Sequence, residues 1–157
     1  MELKLPLQLV SRHDVIRTIR ELESIQDYYT QAEIRQDKQL VMPVQSQLLQ
    51  AIVAENKADL SHKETRASIG DVLIYLRDTA PVVHVSFAVE PSAQVVQKIL
   101  QWFRREVSPM MLLQTGIQPS IAAGCVVRTT NMYFDFSLRQ HLLRNSELLL
   151  DKLRSLV

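Results

Sequence analysis

The period of the apolar positions changes near residue 80, and that change divides the chain. Val15, Leu22 and Tyr29 repeat every seven residues, Ile25 and Ala32 fill the alternate positions, and Ile16 and Ile19 widen the stripe. This pattern predicts a long helix over Arg12–Arg35 that needs a helical partner, with bundle packing inside the chain favoured over a seam between molecules. Ser11 is placed as its N-cap, and Asp14 lies near the positive end of its dipole. Upstream, Leu3, Leu5, Leu7 and Leu9 alternate with Lys4, Pro6 and Gln8, which predicts an edge strand or a strapped-down arm. Pro43 suits the first turn of a second helix over 43–56, carrying Val44, Leu48 and Ile52. Asp59 or Ser61 is placed to cap a third helix that ends near Arg77, striped by Ile69, Val72, Leu73 and Leu76. Gly70 in its middle predicts a bend or a close helix approach.

Beyond Thr79-Ala80-Pro81 the period becomes alternating. Val83, Val85, Phe87 and Val89 face one way and His84 and Ser86 the other, as in a half-buried strand. Glu90-Pro91-Ser92 opens a helix with Val96, Ile99, Leu100, Phe103 and Val107 on one face, and Pro109 ends it. A strand over 110–117 follows, then a hairpin whose arms are 124–129 and 132–134 across a polar turn. Ser137 with Gln140 three residues on is a capping-box signature for a last helix. That helix is striped by Leu138, Leu142, Leu149, Leu153 and Leu156. The expected fold class is α+β: a shortened helical bundle over 1–79, then a small sheet module over 80–157 of order β-α-β-β-β-α.

Pro119, Ser120, Ile121, Gly124, Val126, Val127, Arg128, Asp135, Ser137, Leu138, Arg139 and Leu142 fall without a gap on one signature. The run resembles the C-terminal signature of the delta subunit of F-type ATP synthases, the family that includes the mitochondrial oligomycin sensitivity conferral protein. Ala123, Thr130 and Phe136 stand where that family has glycine, so turns there must be reshaped or made by residues that disfavour positive φ. The resemblance covers roughly 81–153 and fades upstream, where three helices are too few for the family's six-helix bundle. It implies a peripheral-stalk subunit, without catalysis of its own, that joins the catalytic head to the stalk helices. The implied partners are the alpha subunits and a b-type stalk subunit, with any membrane contact only through the complex. The implied location is cytoplasmic, peripheral to the inner face of the plasma membrane. On the head side the expected contacts are Val15, Ile16, Ile19 and Leu22. On the stalk side they are Ile121, Leu138, Leu142 and Leu149.

Composition agrees with a binding role. At 157 residues, 46% apolar and 22% charged, the chain can bury a sizeable core. Its net charge of +1 draws it to neither nucleic acid nor anionic lipid in bulk. Arg104-Arg105 beside Trp102 and Phe103 could grip a nucleic-acid backbone, but they are read as the wet face of a helix, since the clustered charge of a binding track is missing. A single cysteine, Cys125, fits a reducing compartment, and no apolar run approaches the ~20 residues of a membrane span. Of the four histidines, none sits at metal-ligand spacing. Asp135, Ser137 and His141 gather near a helix start, yet Ser137 is already explained as a cap. No P-loop, dinucleotide fingerprint or nucleophile elbow occurs, so no catalytic, cofactor or metal residue is assigned. Arg128 is expected to pair with Asp135 across the hairpin, a structural ion pair. The other reading is a stand-alone α+β adaptor that binds a different helical partner.

Overall fold

The computed structural model describes residues 4–35 and 43–138, with positions 145 and 154. The fold is α+β. Helices α1 (Arg12–Arg35), α2 (Gln47–Asn56) and α3 (Lys63–Thr79) lead to strand β1 (Val82–Phe87), helix α4 (Ala93–Glu106) and strand β2 (Leu112–Ile117). A single 3-10 turn (Pro119–Ile121) then precedes strands β3 (Cys125–Arg128) and β4 (Tyr133–Asp135). Two compact units result: Met1–Pro81 with Gln97–Leu112, and Val82–Val96 with Leu113–Val157. The first cut lies close to the expected boundary after residue 79. Gln97–Leu112, which ends on the first residue of β2, however belongs with the N-terminal helices.

In the first unit, α1 opens on a reciprocal cap. The Asp14 amide donates to Ser11 Oγ at 3.2 Å, while Asp14 Oδ2 accepts from the Ser11 amide and hydroxyl, both at 2.8 Å. Helix α2 starts four residues later than Pro43 suggests. Ser46 is its N-cap, with φ −67 and ψ 157 and its hydroxyl accepting from the Leu49 amide. Its own N–H and O–H go to the Glu21 carboxylate of α1, so the start of α2 is fixed from another helix. Neither Asp59 nor Ser61 caps α3. His62 holds that position without a side-chain bond. Asp59 Oδ1 takes the Ser61 amide at 2.8 Å instead, and that bond holds its carboxyl below the usual range. Fully buried Val15, Ile25, Leu49, Ile52, Ile69, Leu73, Leu76 and Leu100 form the core. Gly70 faces Leu22, and a Cβ there would meet Leu22 Cδ2 at 3.5 Å, an ordinary contact, so the packing does not require a glycine.

The leucine-rich N-terminus is an arm and not a strand. Asn56 exchanges hydrogen bonds with the Lys4 backbone at 2.8 and 2.9 Å. Arg104 donates to the carbonyls of Leu5, Pro6 and Leu9 and, within its own segment, to that of Met111. Burial pulls this guanidinium down to about 10. Arg104 is therefore a clasp and not a wet-face residue. Leu9, at the end of the arm, is fully buried.

In the second unit the sheet order is β2-β1-β3-β4, with β1 and β4 both antiparallel to β3. The Leu112 amide donates to Pro81 O and the Gln118 amide to Phe87 O. The two bonds share one sequence offset, so β2 runs parallel to β1, as a strand reached through a helix should. Val83, Val85, Leu113 and Val127 are buried; the expected alternation holds through Val85, after which Ser86 and Phe87 are both half-buried and Val89, beyond the strand, is exposed. Burial pushes the Cys125 thiol up. The turn before β3 is made without a glycine at 123. Positive φ among non-glycine residues in this stretch falls on Ala122 (φ 64, ψ −57), and the Ala123 amide bonds Ile121 O at 2.8 Å, a γ-turn. The last helix, with its stripe apart from Leu138, lies outside the described residues. No helix among the described residues is long and apolar enough to cross a membrane.

Candidate protein-binding surfaces

Helices α1 and α3 pack antiparallel, and small side chains on α3 leave a trough beside their contact. Its cavity volume is about 290 Å³. Ile19 and Leu22 of α1 and Ala67, Gly70 and Ile74 of α3 make an apolar floor. Glu23 and Asp27 rise on the α1 side, and Lys63 and Asp71 on the α3 side. The trough is small and shallow beside the ~300–1,000 Å³ clefts of small-molecule sites. It suits the apolar side chains of a helix laid along it, with the rim charges facing that helix's polar flanks.

One end of the trough is held by a buried charge. Arg66 is 5% exposed; its Nε donates to Gln26 Oε1 at 2.6 Å, and its Nη1 donates to the carbonyls of Leu60 at 2.6 Å and Ser61 at 2.9 Å. The guanidinium carbon sits 4.3 Å from the centre of the Tyr29 ring. The loop before α3, α3 itself and α1 are thereby tied at one point.

The second unit carries its own apolar surface along edge strand β4. Tyr133 is 64% exposed and Phe136 62%, with Met132, Phe134 and Leu138 exposed beside them. The rings of Phe134 and Phe136 stack, with centroids 6.2 Å apart and planes at 16°. By the register, Phe134 lies on the face that buries Val85 and Val127, so the apolar face runs on to the sheet's rim. Asp135 Oδ1 takes the Ser137 amide at 2.8 Å, which blocks part of the outward edge against strand addition.

The expected head-side residues need correction. Val15 is fully buried, and Ile19 and Leu22 are nearly so. They form the stripe that packs α1 inside the first unit, and only the outer edges of Ile19 and Leu22 reach the trough. Ile16 is half-buried. On the stalk side, Ile121 is 3% exposed, tucked in by the 3-10 turn, so it is core and not contact. Leu138 is exposed, and Leu142 and Leu149 lie outside the described residues. Ala67, Gly70 and Ile74 were not singled out as contacts, although small residues three apart on a helix signal a shallow surface.

The hairpin register places the two residues of the expected ion pair on one face. Asp135 stands opposite Val126, and Tyr133 opposite Arg128, so the two charges are diagonal and not directly across. Ser137 is buried, but the helix it was to cap lies outside the described residues, as does His141. His13, His62 and His84 are exposed, with His62 3.5 Å from Asp59. Among the described residues no three His, Cys, Asp or Glu side chains are grouped to hold a metal ion. A scan against models of protein families and a search of curated proteins find no match to this chain.

Proposed function

We propose that this chain is a peripheral-stalk subunit of a rotary F-type ATP synthase, joining the catalytic head to the stalk helices. The observation that carries the reading is the ungapped agreement of 119–142 with the delta-subunit signature. The geometry supports it by giving each unit an open apolar surface: the trough on the helical unit for the head, and the β4 rim with Leu138 for the stalk. A stator resists torque through contact area, and apolar surfaces with charged rims supply that without chemistry of the subunit's own.

Purification of the synthase through a tag on this chain tests the reading. The alpha and b-type subunits are expected to accompany it; an intact solubilised synthase from the same cells that lacks the chain overturns it. Ile74→Asp is expected to weaken the head contact about tenfold or more, because an aspartate buried without a partner costs well over ~1.4 kcal/mol. Leu138→Asp is expected to weaken the stalk contact and spare the head.

A further inference from the structure

Strand β2 ends the sheet on the side away from β4, and its outer edge has no neighbouring strand. The amides of Leu112 and Gln118 point at β1, so along this strand the even-numbered residues turn their backbone inward, while Leu113, Thr115 and Ile117 turn theirs outward. Every residue from Gln114 to Gln118 is exposed. Edge strands are ordinarily guarded by charges or prolines, and the run Leu112–Ile117 has neither. The opposite edge, β4, is shorter, and its Asp135 side chain takes the Ser137 amide. Two features of β2 have no explanation inside the chain. Ile117 stands on the face that carries buried Val83 and Val85, yet it is 60% exposed. Gly116 does not have a positive φ, and a Cβ there would meet Ser86 Oγ at 3.6 Å, an ordinary contact, so neither its backbone nor its packing requires a glycine. Glycine inside a strand marks a place where other backbone comes close.

Such an edge accepts a strand, and its own sequence selects which one. Leu113-Gln114-Thr115-Gly116-Ile117 has an aliphatic residue at each end, an uncharged residue next to each, and threonine at the centre, so it reads alike in both directions. Turned about a twofold axis at Thr115, two copies meet antiparallel with Thr115 opposite Thr115, Leu113 opposite the second copy's Ile117, and Gln114 opposite the second copy's Gly116. The outward backbone groups at 113, 115 and 117 then bond to each other across the axis. The exposed Ile117 gains an aliphatic neighbour, and the glycine leaves room for the glutamine side chain that lies across it. We propose that the outer edge of β2 is a self-association site, to which a second copy of this chain adds antiparallel through the same strand, joining two sheets into one. The pairing leaves the β4 rim and Leu138 free and does not rest on the stalk reading. So short a strand pair covers less than the roughly 800 Å² per partner of a standard interface, and the dimer is therefore reversible, forming between micromolar and millimolar concentration.

Sedimentation equilibrium of the full chain from micromolar to millimolar concentration tests this, together with amide hydrogen exchange at both ends of that range. The weight-average mass is expected to climb from that of one chain toward that of two, and the Thr115 and Ile117 amides are expected to exchange more slowly as it does. Thr115→Pro removes an outward N–H and leaves the bonds to β1, and Ile117→Lys places a charge on the edge. Each is expected to weaken the dimer about tenfold or more, with the far-ultraviolet circular dichroism of the unaltered chain. If either variant fails to fold, exchange in the unaltered chain decides alone. The proposal is overturned by any of three outcomes: a single-chain mass up to millimolar concentration, dimers of undiminished affinity in both folded variants, or Thr115 and Ile117 amides whose exchange does not slow as the mass rises.

Discussion

The Arg104 guanidinium donates to four backbone carbonyls, three of them on the N-terminal arm. Arg104→Ala removes all four bonds, leaving Pro6 O only the Leu9 amide, and is expected to lower stability by about 2–4 kcal/mol in urea unfolding. Arg104→Lys should recover only part, because a compact ammonium cannot reproduce the fork. Nothing in the local sequence distinguishes Arg104 from Arg105, which is exposed and pairs with Glu106 at 2.6 Å. The arm carbonyls that separate their roles lie 95 or more residues away. At the γ-turn the local sequence is more informative. Ala122 holds a backbone that a side chain disfavours, so Ala122→Gly is expected to raise stability by about 1 kcal/mol. Gly124 has φ 89, and a Cβ there would lie 2.3 Å from Phe136 O. Gly124→Ala should therefore cost about 2 kcal/mol or more, measured by the same unfolding curves. The turn thus holds two positive φ values, on Ala122 and on Gly124.

Single elements were legible wherever one period ran long enough. The stripe from Val15 to Ala32 marks α1 at the bounds it has, and the alternation around Val83 and Val85 marks β1. The start of α2 was not legible, because Pro43 is a local signal whereas the Ser46 cap is completed by Glu21, 25 residues upstream. Ser46→Ala is expected to cost about 1 kcal/mol. Glu21→Ala should cost a similar amount, and the double variant should cost less than the sum, because both changes remove one bonded pair; a double-mutant cycle in unfolding free energy measures this. The same limit applies to the α1 stripe. A leucine-rich face reads alike whether it packs inside the chain or against a neighbour, and only the position of α3 shows that Val15 is interior and that the trough is what remains open.

For the molecule as a whole, the two compact units are not divided by one cut near residue 80: the chain leaves the first unit after Pro81, returns at Gln97 and leaves again after Leu112. Leu100, Met111 and Leu112 are buried in the first unit although they follow β1 in sequence. A fragment ending at Pro81 lacks these side chains and the Arg104 clasp, and is expected to melt without a cooperative transition by circular dichroism where the full chain has one. Purification with the synthase remains the decisive measurement for function at this scale. The interleaving of Gln97–Leu112 with the first unit also bears on inheritance. A genetic crossover between the codons for Val82 and Leu112 would pair helices from one ancestor with core residues from another. Substitution within an intact reading frame, more than shuffling of half-genes, is the open route by which such a chain diversifies.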